Sequence, residues 1–166
     1  MKIEFRKAVQ PRETRALMAF DRRVFPASDR FDAEYWRCCE AWWMLVDRVK
    51  VGCCAFEENY IATTGILPTF QRNGLGSLMK AWQIAYAKKR GYTCLIANAR
   101  QSNAASIALN KRFGFRITRT VQNYYEEPNE SGVVMRLDLT PAPSSSARTT
   151  RRSPRRRAGT GSESAE

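Results

Sequence analysis

Gln71-Arg72-Asn73-Gly74-Leu75-Gly76-Ser77 is the stretch on which the reading of this chain turns. Before it lies Tyr60–Leu67, a short apolar and β-branched run closed by Pro68 that reads as a strand. After it, Gly76–Arg90 reads as a long helix with Leu78, Trp82 and Ala85 on one face, ending in Lys88, Lys89, Arg90 and Gly91. Cations and a glycine suit the carboxyl end of a helix. A glycine-rich link from strand to helix lets backbone approach a ligand closely, and the free N–H groups of a helix start attract a phosphate. Arg72 adds positive charge. Two nucleotide loops are excluded by spacing: no G-x-x-x-x-G-K-[ST] run occurs, and Met79 stands where the third glycine of G-x-G-x-x-G belongs. Taken alone, the stretch is a pyrophosphate cradle or an ordinary glycine turn.

Working outward, strands and helices alternate. Ile3–Val9 reads as a strand, and Arg12–Phe25 as a helix whose Leu17, Phe20 and Val24 recur at spacings of three and four. A short helix is expected around Asp32–Cys39. Trp42–Val46 and Val49–Phe56 form a strand pair turning at Asp47-Arg48, and Tyr92–Ala99 is a further strand. Asn103–Arg112 is a helix capped by Ser102 or Asn103. Phe115–Thr120 and Gly132–Leu139 are the last strands, joined by a loop at Asn129-Glu130-Ser131. The order β-α-α-β-β-β-α-β-α-β-β implies an α/β domain with a mixed sheet flanked by helices. Its expected extent is residues 1–140. From Pro141 to Glu166 the chain is Ser, Arg, Thr, Pro and Gly without a large apolar residue, which predicts a disordered basic tail.

The chain has 166 residues, 28 basic and 16 acidic, for a formal charge of +12, and no histidine. That absence excludes Ser-His-Asp and Cys-His catalysis and histidine metal ligands. The tail carries six arginines against two glutamates, so +8 of the charge belongs to the domain. An anionic partner such as nucleic acid or a ribosome surface, or plain solubility, accounts for that charge. Cys38, Cys39, Cys53, Cys54 and Cys94 are an odd set in adjacent pairs with no C-x-x-C spacing, so buried thiols rather than disulfides or a metal site are expected. The first ten residues, MKIEFRKAVQ, hold no apolar leader core, and no run approaches the ~18 apolar residues of a membrane span. No membrane partner and a cytoplasmic location are the corresponding expectations.

Set together, Pro68-x-x-Gln71-Arg72-x-Gly74-Leu75-Gly76 and Ser102-Asn103-Ala104-Ala105-Ser106-Ile107-Ala108-Leu109-Asn110-Lys111-Arg112-Phe113-Gly114-Phe115 resemble the two cofactor motifs of the GNAT superfamily of acetyl-CoA-dependent N-acetyltransferases. Asn123-Tyr124-Tyr125, followed by a loop and Val134-Met135, looks like the end of its ribosomal-protein alanine N-acetyltransferase subgroup. Val24-Phe25-Pro26 is similar to that subgroup's substrate loop. The resemblance covers residues 60–139 most clearly. It implies a GNAT-like fold with a central, mostly antiparallel sheet, acetyl-CoA as co-substrate, no metal, and direct attack by a primary amine in a ternary complex. It further implies that the backbone of Thr64, Gly65 and Ile66 pairs with the pantetheine arm, one N–H polarising the thioester carbonyl. Arg72, Asn73, Gly74, Leu75, Gly76 and Ser77 would wrap the pyrophosphate, and Asn103 would contact the pantetheine. Tyr124, Tyr125 and the Phe25-Pro26 loop would frame the acceptor.

Two positions depart from the subgroup. Its glutamate base falls on Asn98 and its tyrosine acid on Asn110, and an asparagine neither takes nor gives a proton at useful pH. Glu57 and Glu58, just before the cofactor strand, are expected as substitute bases, and Tyr124 or Tyr125 as the acid. A site without a strong base favours a weakly basic acceptor. An α-amine of pKa ~8 is about a tenth neutral at pH 7, whereas a lysine of pKa ~10.4 is neutral only a few times in ten thousand. An α-amine, an aromatic amine or another weak base is therefore expected in preference to lysine, and the resemblance implies a protein amino terminus as the acceptor. A non-catalytic acyl-CoA-binding module and a basic nucleic-acid-associated protein on the same fold are the alternatives.

Overall fold

Seven strands form one sheet in the order β1-β2-β3-β4-β5-β7-β6. The computed structural model describes residues 1–139, and the expected tail, 141–166, lies outside them. Along the chain come β1 (Ile3–Lys7), α1 (Thr14–Val24), α2 (Ala33–Cys38), β2 (Glu40–Val46), β3 (Val49–Glu57), β4 (Tyr60–Ile66), α3 (Leu75–Lys89), β5 (Cys94–Arg100), α4 (Ala104–Arg112), β6 (Arg116–Glu126) and β7 (Asn129–Asp138). This is the element order expected from the sequence. Every pairing is antiparallel except β4 with β5. No helix of the described residues is long and apolar enough to cross a membrane.

The sheet is apolar on both faces, so β3 reads as a nearly continuous buried run. On one face Leu17 and Phe20 of α1 and Trp36 of α2 pack with Trp43, Cys53 and Ala55. On the other, Leu75 and Met79 of α3 pack with Met44, Val51, Phe56, Leu95 and Met135. Four of the five cysteines are buried thiols; Cys38 is exposed.

Two expectations need correction. The strand begun at Phe115 does not stop at Thr120: β6 runs to Glu126, and the turn falls at Glu127-Pro128. A register shift between Val121 and Tyr125, with Asn123 at φ 53°, absorbs the poor strand formers as a bulge. The buried stripe of α3 is also different. Leu78 is 44% exposed and Ala85 is exposed. The buried line is Leu75, Met79, Lys80, Gln83 and Ala87. Trp82 instead stacks on Phe5, ring centroids 4.5 Å apart, at the helix flank.

Candidate active site

The parallel pair β4–β5 holds only at Tyr60↔Ile96 and Ile61↔Ala97. Beyond those residues the strands part, and a cleft of about 790 Å³ opens between Ala62–Ile66 on one side and Asn98–Arg100 on the other. On its far edge β4 stays paired to β3, with Cys54 opposite Thr64 and Cys53 opposite Gly65. One backbone edge of β4 therefore has no strand beside it, a row of N–H and C=O groups ready for an extended ligand. Gly65 is required by close approach. A Cβ there would lie 2.7 Å from Val24 Cγ1 and 3.0 Å from Phe25 Cζ, so the end of α1 presses directly on this strand.

The loop from Gln71 to Ser77 borders the cleft through Gln71, and its backbone is strained into place. Arg72 has φ 60° and Gly74 φ 78°, and the Gln71 side chain donates to the Ile66 carbonyl at 2.9 Å, tying the loop to β4. Gly74 ends the loop as the α3 cap, so the helix starts at Leu75, one residue before the expected start. Ser77 and Leu78 donate to the Gly74 carbonyl. The N–H groups of Arg72, Asn73, Gly74, Leu75 and Gly76 reach no protein acceptor among the described residues. Five free donors at a helix start make an anion cradle. Leu75 contributes backbone alone, since its side chain is in the core. Arg112 of α4 donates to the Ser77 hydroxyl and brings a second guanidinium to this end. Asn103, expected at the pantetheine, caps α4: its Oδ1 accepts from Ser106 N at 3.1 Å, and its Nδ2 is left without a protein partner among the described residues. Asn103 also lines the cleft.

The opposite end is aromatic and acidic. Glu57 lines the cleft and accepts a hydrogen bond from the Tyr35 hydroxyl. Burial and that carboxylate hold the Tyr35 hydroxyl far above the ordinary tyrosine range. Glu58 is different: it sits in the β3–β4 turn at φ 52°, exposed, and is not among the cleft residues, so the structure brings only one of the two expected glutamates to the site. Asn98 Nδ2 donates to the Tyr124 hydroxyl at 2.8 Å. Tyr125 lies beneath the Arg100 guanidinium, 4.3 Å from ring centroid to carbon, and burial pushes its hydroxyl up to about 12. Arg100 also clamps the Phe25–Phe31 loop: it donates to Asp29 at 2.9 and 2.5 Å and to the carbonyls of Pro128 and Glu127 at 3.1 and 3.2 Å. The loop, the end of β5 and the β6–β7 turn are thereby held as one wall.

Sequence reasoning missed two buried polar residues of α3, of which Lys80 reaches the cleft floor. Gln83 is fully buried, and its Nε2 donates to Thr64 Oγ1 at 2.7 Å. Lys80 is 4% exposed, lines the cleft, and makes no hydrogen bond or ion pair to the described residues. Burial lowers its ammonium to about 8. The signal was present: Lys80 and Gln83 share a helix face with Leu75, Met79 and Ala87, so the apolar line of α3 runs through two polar residues. Asn110 completes the floor, 3% exposed, with Oδ1 unpartnered. Among the described residues, no three Cys, Asp or Glu side chains gather as a metal site would need.

Comparison with known proteins agrees with this geometry. The model of the acetyltransferase (GNAT) family matches residues 12–115. The probable N-acetyltransferase san of Drosophila melanogaster is 30% identical over 151 residues, with 82% of each chain covered. The ribosomal protein bS18-alanine N-acetyltransferase of Salmonella typhimurium is 33% identical over 85 residues, half of this chain and 57% of that one. Among solved structures, the ribosomal-protein-S18-alanine N-acetyltransferase from Escherichia coli superposes with a TM-score of 0.74 at 19% identity, covering 87% of this chain and 98% of that one. A Bacillus subtilis acetyltransferase in complex with CoA gives 0.70 at 18% identity, covering 84% of this chain and all of the other. With more than half its length inside the family model and a relative matched along most of both chains, the chain belongs to the acetyltransferase (GNAT) family and is an acyltransferase.

Proposed function

We propose that this protein moves an acetyl group from acetyl-CoA to the α-amine of a protein or peptide amino terminus by direct attack in a ternary complex. The observation that carries this reading is the parting of β4 and β5 beside five free loop N–H groups. The pyrophosphate fits the cradle of Arg72 to Ser77. The pantetheine arm takes the free edge of β4 at Thr64, Gly65 and Ile66, as a third strand would, and an N–H of that edge meets the oxyanion that develops on the thioester carbonyl. The solved relative with CoA bound agrees with this choice of cofactor.

The acceptor enters from the aromatic end, between the Phe25-Pro26 loop and Tyr124 and Tyr125. Glu57 is the one carboxylate of the two expected that borders the cleft, and it serves as a base through water. Asn98, occupied with Tyr124, orients that tyrosine instead of moving protons. A base acting at a distance suits an α-amine, already about a tenth neutral at pH 7, and not a lysine. The enzymes of the bacterial subgroup are named for a ribosomal protein alanine, and the basic domain surface suits acceptors that assemble with nucleic acid.

The test is thiol release from acetyl-CoA with peptides bearing free or blocked α-amines, lysine peptides and small amines. Release confined to the free α-amine peptides is expected. Release with lysine peptides alone, or with none of the amines, contradicts the reading.

A further inference from the structure

The floor of the cleft holds a lysine that the family resemblance does not use. Lys80 stands on the face of α3 that otherwise packs Leu75, Met79 and Ala87 into the core. An ammonium so deeply buried is costly without a partner, and Lys80 has none among the described residues. Its Nζ lies 5.1 Å from the centroid of the Phe115 ring, and the side chain lines the cleft. Asn110 lies beside that ring: its carbonyl accepts from Phe115 N at 3.1 Å, and its side-chain oxygen is buried and unpartnered. One turn along α3, Gln83 holds the side chain of Thr64 on the strand that meets the thioester. A cation, an orphaned amide oxygen and Thr64, Gly65 and Ile66 of the proposed cofactor strand thus line the same cleft.

From this convergence we infer that Lys80 is the general acid of the reaction, delivering its Nζ proton to the departing thiolate of CoA. The inference rests on the acetyl-transfer reading above. In the step, the acceptor nitrogen bonds to the thioester carbonyl carbon, and the C–S bond breaks with its electron pair on sulfur. Nζ–H then passes a proton to that sulfur. The surplus proton of the new amide leaves to water, and water reprotonates Lys80. The acidity matches: an ammonium near 8 is a stronger acid than a thiol of ordinary pKa ~8.5, whereas an ordinary lysine at ~10.4 is weaker. Tyr125, raised to about 12, is the poorer donor. Among the described residues, the one ionisable group acting on Lys80 is the Cys54 thiol on β3, itself held up to about 12 by burial and so neutral at working pH.

The experiment uses Lys80→Met and Lys80→Arg in the full chain, with two readouts. The first is kcat against pH on a peptide α-amine. The wild type should lose rate as pH rises through about 8. Both variants should fall ~10²-fold, as expected for a lost general acid, and should lack that alkaline limb. Arginine keeps the charge but holds its proton. The second readout is independent of turnover: the thiol pKa of bound CoA, followed by thiolate absorbance. It should be lower on the wild type and on Lys80→Arg than on Lys80→Met. Variants within twofold of wild type that keep the alkaline limb, or one thiol pKa on all three proteins, overturn the assignment. Acetyl-CoA binding with no turnover on any amine defeats the transfer reading instead, and the thiol titration still decides whether Lys80 faces the sulfur. A melting curve for each variant excludes misfolding as the cause.

Discussion

Lys80→Met should make the fold more stable while it removes activity, and the size of the gain follows from the structure. Burial lowers the ammonium from 10.5 to about 8. At 1.36 kcal/mol per pKa unit, that depression costs the folded state ~3 kcal/mol at pH 7. Methionine has similar length and no charge, so it relieves the cost but forfeits the cation–π contact with Phe115, worth ~0.5–1 kcal/mol. A net gain of ~2–3 kcal/mol is expected at pH 7. The pH dependence has a definite sign. Between 8 and 10.5 the unfolded chain keeps the Lys80 proton that the folded chain has lost, so wild-type stability rises with pH on this account. The burial-raised thiols of Cys53 and Cys54 act the other way at alkaline pH, because the folded state keeps protons that the unfolded state releases. They are common to both proteins and cancel in the difference. Urea unfolding of wild type and variant at pH 7 and pH 10 measures it. The gap should shrink to below ~1 kcal/mol at pH 10. A variant less stable than wild type at pH 7, or a gap that ignores pH, refutes the reasoning.

Three further outcomes are expected. Gly65→Val should place side-chain atoms into Val24 and Phe25, lowering stability by ~1–3 kcal/mol and weakening acetyl-CoA binding in a calorimetric titration. Arg100→Lys should break the fork on Asp29 and the carbonyls of Glu127 and Pro128, raising KM for the peptide several-fold with acetyl-CoA affinity unchanged, since a lysine cannot span that geometry. Glu13, held well below the usual carboxylate range by Arg6, Lys50 and the Val9 N–H, supplies stability that is present above about pH 4.5 and lost as pH falls. Glu13→Gln should therefore flatten the acid limb of a melting-temperature profile.

The order of elements along the chain was legible because several of them are bounded by local signals: Pro68 and Gly74 around the loop, Asp32 before α2, Gly91 after α3. The loop of free N–H groups proposed to hold the cofactor was legible for the same reason, since glycine placement is local chemistry. What escaped the sequence depends on tertiary packing. Asn123 breaks the strand pattern, yet a bulge lets β6 run on because Tyr125 and Glu126 pair with Glu130 and Asn129 on β7. Lys80 and Gln83 look like surface residues by type, and Leu78 like core. The face of α3 that turns to the sheet, Leu75, Met79, Lys80, Gln83 and Ala87, exchanges them. Glu57 and Glu58 are adjacent in sequence, and the turn at Glu58 alone decides that one of them borders the cleft.

The most direct measurement is mass-spectrometric location of the acetyl group after incubating the protein and acetyl-CoA with a peptide that bears one free α-amine and one internal lysine. The account requires the acetyl group on the amino-terminal nitrogen, with one CoA thiol released per peptide modified. Acetylation of the lysine with the α-amine untouched, or thiol release with no modified peptide, would contradict it.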